Sequence, residues 1–165
     1  MRRICLIFAL LFPSAFVTCR QTPPKPVSHN IQIKVAIIYT VGGPQPVARE
    51  DFYLLDKDAA EIWKEAGMEQ RAVGLCLRFL PIVKPLGRVD SLKCHEALKA
   101  HMKATVTTDF NGEATFLNVL EGTYYIYGMG TLRTDKVAVW NHKASTNDKG
   151  PVFLDNNNAY YFPSE

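Results

Sequence analysis

The stretch TTDFNGEATFLNVLEGTYYIYG, residues 107–128, decides the fold. Asn111-Gly112 supplies the positive φ angles of a tight turn, and the runs on either side, 104–109 and 114–119, favour strands, so a hairpin is predicted here. Glu121-Gly122 makes a second break before the strand TYYIY. Working outward, residues 31–40 (IQIKVAIIYT) alternate, with Ile31, Ile33, Val35, Ile37 and Tyr39 on one face and Gln32, Lys34 and Thr40 on the other. Period two with β-branched residues predicts a strand. Gly42, Gly43, Pro44 and Pro46 predict a loop after it. Residues 51–55, 135–140, 151–154 and 159–162 read as further short strands. Short strands divided by turns argue for a sandwich.

The pattern changes between residues 56 and 103. In 56–66, Ala59, Ile62, Trp63 and Ala66 recur at helical spacing, with charged residues opposite and Gly67 as a C-cap. Residues 91–103 predict a second helix, with Asp90 or Ser91 as N-cap and Leu92, Leu98 and Met102 inward. Residues 71–83 are apolar and fit either helix or strand. Alternation sets Tyr125 and Tyr127 opposite to Tyr124 and Ile126, and Trp140 opposite to Val137 and Val139. These aromatics read as outward-facing, either as a stacking surface or as the floor on which the inserted helices pack. The second reading gives Ala59, Ile62, Trp63, Leu92 and Leu98 a partner.

Residues 107–128 resemble the carboxypeptidase regulatory-like, or transthyretin-like, β-sandwich domain. The family pattern T-D-x-x-G-x-(aromatic)-x-F-x-x-(hydrophobic)-x-x-G-x-Y is filled by Thr108, Asp109, Gly112, Phe116, Val119, Gly122 and Tyr124. Ala114 stands where some relatives carry an aromatic. The later WN…LDNNNA, residues 140–159, is similar to the last strands of bacterial exported relatives with a helical insertion. The resemblance implies a Greek-key transthyretin/immunoglobulin-like β-sandwich with an α-helical insertion. It implies accessory or adhesive roles and no single activity. Asn111 and Gly112 as a turn, and Gly122 and Tyr124 as a tyrosine corner, have structural roles by default.

The N-terminus reads as an export signal. Arg2 and Arg3 precede a short apolar run, Ile4 to Phe12, about half the length a bilayer span needs. The organisation is then a signal peptide at 1–18, a Pro-rich tether at 19–30, and a β-sandwich domain at 31–163 carrying a helical insertion at 56–103. Val17-Thr18-Cys19 loosely resembles a lipobox, so Cys19 is a candidate for lipidation; simple secretion is the alternative. Cleavage before Cys19 leaves 147 residues, and losing Arg2 and Arg3 leaves 17 basic and 16 acidic. That balance gives nucleic-acid binding no electrostatic support. No second apolar run is long enough to span a membrane. Cys76 and Cys94 remain in the folded part; a disulfide between them and two buried free thiols are both open.

No motif announces chemistry. Asp109, Asn111 and Glu113 hint at calcium, but an EF-type loop needs further oxygen ligands in register, and a turn explains the same residues. His29, His95, His101 and His142 lack metal or catalytic spacing. Ser91 and Ser145 have no recognisable acid or base partner. Related pilin-type sandwiches crosslink a first-strand Lys to a last-strand Asn. Lys34 and Asn156 to Asn158 could take those roles, but Lys34 falls on the polar face. The reading is a non-enzymatic exported module of the cell envelope without cofactor or metal, either binding an envelope protein or glycan or serving a structural role. An enzyme site built by the helical insertion is the alternative.

Overall fold

The computed structural model describes residues 27–68, 88–131 and 136–163. In chain order these form β1 (Ser28–Tyr39), β2 (Gly43–Pro46), β3 (Asp51–Leu55), α1 (Ala59–Glu65), α2 (Arg88–His101), β4 (Met102–Thr107), β5 (Glu113–Leu120), β6 (Thr123–Thr131), β7 (Lys136–Ser145), β8 (Val152–Leu154) and β9 (Ala159–Pro163). Residues 1–26 and 71–83, with Cys19 and Cys76, lie outside the described residues.

Two sheets face each other. Sheet I has β1 at its centre, paired antiparallel with β2 and β5 and parallel with β8; sheet II runs β4-β3-β6-β7-β9. The alternation of β1 turns Ile31, Ile33, Val35 and Ile37 inward, all buried. They meet Phe52 and Leu54 of β3, Ile126 of β6, and Ala138, Trp140 and Ala144 of β7. Each large apolar side chain so buried contributes roughly 1.5–3 kcal/mol. Gly128 makes room for Phe52. A Cβ there would lie 2.2 Å from the Phe52 ring, which tilts against Trp140 at a centroid distance of 5.9 Å. The Trp140 indole N–H donates to the Asp155 carbonyl at 3.1 Å, tying β7 to the chain after β8 and so one sheet to the other.

The helices add a third layer, on the far side of sheet II. Ala59, Ile62 and Trp63 of α1 and Cys94 and Leu98 of α2 pack on Leu55, Tyr127, Met129, Val137 and Val139. The helical span thus covers Tyr125 and Tyr127, as the packing alternative predicts for them. Trp63 meets the Tyr127 ring edge-on at 5.8 Å, and its indole N–H donates to the Cys94 carbonyl at 3.0 Å, linking the helices. Asp58 caps α1 by accepting from the Ala60 N–H at 2.8 Å. Its other oxygen accepts from the Asn141 amide at 2.8 Å, which fixes the helix start to β7. At the C-terminus, Gly67 adopts φ +75°. The Gly67 and Met68 N–H groups close onto the Lys64 and Trp63 carbonyls, a Schellman arrangement. Cys94 is disulfide-bonded, its partner lying outside the described residues.

Four sequence expectations need correction. Residues 104–109 and 114–119 are not the arms of a hairpin: β4 pairs with β3, and β5 pairs with β1 in the other sheet. The turn at Asn111-Gly112 is an arch between sheets. It has one positive φ, at Gly112 (+73°), so local turn chemistry reads the same while the destination of the strands differs. Trp140 faces away from Val137 and Val139 as alternation demands, yet that side is the sandwich interior, and it is fully buried. The predicted loop at 42–46 contains β2, whose residues Gly43–Pro46 pair with Tyr39–Ala36. The second helix occupies Arg88–His101, so Asp90 and Ser91 lie within it and Met102 already belongs to β4.

Gly112 permits a contact nothing larger could. Its carbonyl accepts from the Val35 N–H at 2.8 Å, while the Val35 carbonyl accepts from Val47 N–H at 3.0 Å. A Cβ on Gly112 would sit 2.2 Å from the Val35 oxygen. Gly112→Ala is therefore expected to destabilise the fold by at least ~2 kcal/mol, from clash plus unfavourable φ. Gly42→Ala, at φ +102° with open space around it, should cost only about 1 kcal/mol. Urea denaturation of both variants checks the difference; equal losses would contradict the close approach.

Candidate binding surfaces

The two outer faces of the sandwich differ. That of sheet II lies beneath the helices. That of sheet I carries no covering element among the described residues. On it, register aligns Phe153 of β8, Lys34 of β1 and Glu113 of β5 in one row across the strands. Phe153 is 59% exposed. The Lys34 ammonium donates to the Glu113 carboxylate at 2.8 Å. Gln32, Lys34, Glu113, Pro151 and Phe153 line a shallow cleft of about 210 Å³. Ile38, Leu117 and Leu120 are the other large apolar side chains exposed from β1 and β5. An aromatic face beside an amide, an ammonium and a carboxylate on strands is a rigid, mixed surface suited to binding.

A second cleft opens at the end of the sandwich where β1 finishes and β3 begins. It encloses about 240 Å³ and is lined by Ile37, Tyr39, Gln45, Pro46, Val47 and Glu50, among others. Burial, followed by the charge of Asp51, holds the Glu50 carboxyl above the usual carboxylate range. The neighbouring Arg49 adopts φ +61°, and its guanidinium lies 4.6 Å over the ring of exposed Phe110. The buried Thr108 hydroxyl donates to the Val47 carbonyl at 2.7 Å and accepts from the Glu50 N–H at 3.1 Å. One threonine thereby fastens the 47–50 connection to the 108–112 arch.

The sequence-singled residues fall into structural roles here. The Asp109 carboxylate accepts from the Asn111 and Glu113 N–H groups, each at 2.8 Å. Those bonds, the Glu113 contact foremost, hold its carboxyl below the usual range. Gly112 N–H closes onto the Asp109 carbonyl at 3.1 Å. The Tyr124 hydroxyl donates to the Leu120 carbonyl at 2.9 Å across the β5–β6 arch. The Gly122 N–H donates to the Thr146 hydroxyl at 3.0 Å. Lys34 is engaged by Glu113, and the three asparagines are engaged locally. Asn156 pairs its amide with both the N–H and the carbonyl of Ile38, each at 2.8 Å. Asn157 donates its amide to the Asp155 carboxylate. Asn158 accepts from the Asp155 N–H at 2.9 Å.

Of the histidines, His101 sits at the end of α2, its Nδ1 2.7 Å from Asp56 Oδ1, while Lys103 reaches Asp56 Oδ2 at 2.5 Å. Burial pushes the Asp56 carboxyl up, but Lys103 and His101 together outweigh it and the net direction is down. Among the described residues there is no group of three metal-ligating side chains. No helix among them is long and apolar enough to cross a membrane. Sequence reasoning missed both clefts. The first joins residues far apart in the chain and the second is folded from residues 37–50 without a motif, and the signal available was only the outward position of Phe153 in a three-residue strand.

No protein-family model matches the chain, and no curated protein matches it. Among solved structures, a candidate carbohydrate-binding protein from Pseudomonas aeruginosa is 15% identical with a TM-score of 0.42, covering 79% of this chain and 90% of that one. The shaft pilin SpaA of Lactobacillus rhamnosus GG is 12% identical at TM-score 0.41 over 78% of this chain, which spans 46% of that pilin. The basal pilin SpaB of the same organism is 15% identical at TM-score 0.35, covering 78% of this chain and 96% of that one. At this identity and superposition none of the three assigns an activity to this chain. The likeness of residues 107–128 to the carboxypeptidase regulatory-like domain stays a likeness of motif.

Two outcomes are expected at these residues. Tyr124→Phe should lose about 1 kcal/mol of stability in urea denaturation, the net worth of one hydrogen bond; an unchanged midpoint would show the Leu120 contact to be idle. Calcium or a chelator at millimolar levels should leave the melting temperature where it is, since the Asp109 carboxylate already caps its own arch. A rise with calcium would reopen a metal role for Asp109, Asn111 and Glu113.

Proposed function

We propose that this chain is an exported, non-enzymatic module of the cell envelope that binds an envelope protein or glycan through the open face of sheet I. The asymmetry of the sandwich supports this reading. One sheet is sealed by helices, and the other presents Phe153 beside Gln32, Lys34 and Glu113. An exposed aromatic on a rigid strand serves no core, and it offers a flat apolar surface to a sugar ring or a peptide side chain. Residues 1–18 act as the export signal, residues 19–30 as the tether, and residues 31–163 as the folded domain. Cys19 is the first residue of the mature chain and its point of lipid attachment. Cys94 takes Cys76 as its disulfide partner, in keeping with an oxidising compartment.

The test has two parts. Full-length protein with a C-terminal tag, expressed in a bacterium and fractionated, should appear outside the cytoplasm, shortened to Cys19 and carrying a lipid adduct by intact mass. A full-length cytoplasmic product overturns export, and an exported product without the adduct overturns lipidation. Purified protein should co-sediment with envelope fragments, and Phe153→Ser should weaken this without altering the melting curve. Equal sedimentation of the variant would remove the open face from the reading.

A further inference from the structure

The end cleft is independent of the open face and has a chemistry of its own. Glu50 stands immediately before β3, half-buried, and lines the cleft together with Ile37, Tyr39 and Val47. Ile37 and Val47, both buried, form the apolar floor, and Tyr39 packs against the same core. Glu50 is thus a half-buried carboxylate in a cleft of mixed polar and apolar lining. Among the described residues it has no cationic partner: Lys34, Lys57 and Lys103 pair with Glu113, Glu65 and Asp56. Arg49, its chain neighbour, is committed to the Phe110 ring. Its left-handed backbone is uncommon for an arginine. Asp51 adds a second negative charge nearby, its own carboxylate accepting from the Thr107 hydroxyl at 2.6 Å.

We propose that this cleft is a site for a primary alkylammonium group, its methylene stem against Ile37 and Val47, its ammonium at the Glu50 carboxylate and beside the Tyr39 ring. A partly desolvated carboxylate without a counter-charge gains more from an incoming cation than an exposed one does. An aromatic wall adds cation–π attraction. The volume, about 240 Å³, falls below the range of drug-sized pockets and suits one side chain or one small amine. Its lining is mixed, with Gln45 and Glu50 beside Ile37, Val47 and the Tyr39 ring, which suits a group carrying both a charge and a short apolar stem, and one carboxylate is too few for a divalent metal. A lysine side chain of a partner protein and a free alkylamine share this chemistry.

Calorimetric titration of the full chain with Nα-acetyl-lysine amide and with n-butylamine separates the two sources. Saturable binding of the lysine amide alone assigns the site to a partner's lysine, binding of butylamine alone to a free amine, and binding of both to the ammonium and its stem. The uncharged Nα-acetyl-norleucine amide should not bind. Glu50→Gln should weaken the binding amine by about tenfold or more. Gln45→Lys, which places an ammonium of the chain's own at the cleft, should weaken it likewise and covers the case in which Glu50→Gln does not fold. Phe153→Ser should leave the titration unchanged, so this site and the open face fail separately. Absence of binding by both amines, equal binding by the norleucine analogue, or full affinity in the folded Glu50 and Gln45 variants overturns the proposal.

Discussion

The peptide group of Val35 is the point on which the sandwich turns. Its N–H is taken by Gly112, where the chain returns from sheet II as β5, and its carbonyl is taken by Val47, where the chain leaves sheet I for β3. Two strands therefore share one side of β1, β5 along the first part and β2 along the second. Both crossings between sheets pass over the same residue. The missing side chain of Gly112 lets them approach, and Thr108 bonds one crossing to the other. Move either crossing and the inward rows of β1 and β3 no longer oppose each other, which would take Val35 and Phe52 out of contact with the same core.

Much of this was legible in the chain. The period of two in 31–40 fixed which β1 side chains would be inward, because a buried face tolerates no slip of register. The spacing of Ala59, Ile62 and Trp63 placed α1 and its buried stripe. What failed was long-range. Asn111-Gly112 specifies a local bend of the backbone, and a bend is equally compatible with two paired strands or with two strands entering different sheets. Only the competition for partners decides: β4 finds β3, and β5 finds β1. Trp140 was misplaced for a related reason. Alternation tells which residues share a side, and only assembly tells which side is covered. In β7 both are, since the helices bury Val137 and Val139 while sheet I buries Trp140.

The candidate surfaces were the least legible part. Phe153 lies in a strand of three residues, too short to establish a period, and its exposure follows from the parallel pairing of β8 with β1. The end cleft needs Tyr39, Gln45 and Glu50 from the end of one strand, the middle of another and a connection. No sequence motif joins them. The asparagines of 156–158 show the reverse situation. They looked like reactive candidates in the sequence, yet in the fold their amides substitute for backbone, extending the ladder of β1 past the end of β8 and closing the turn before β9.

The prolines of β2 have a consequence for self-association. Gly43 and Gln45 direct their peptide groups at β1, because they stand opposite Tyr39 and Ile37, on the side of β1 where Val35 meets the crossings. Pro44 and Pro46 then present the outer rim, and neither has an N–H to offer. Further along the same rim, Asn118 breaks β5 with φ +56° and a register shift. Among the described residues, this margin of sheet I is thereby stripped of donors at one end and kinked at the other. A margin of this kind cannot template a further strand. Copies of this chain at high concentration would stay separate molecules along this margin rather than zip into a continuous cross-β ribbon.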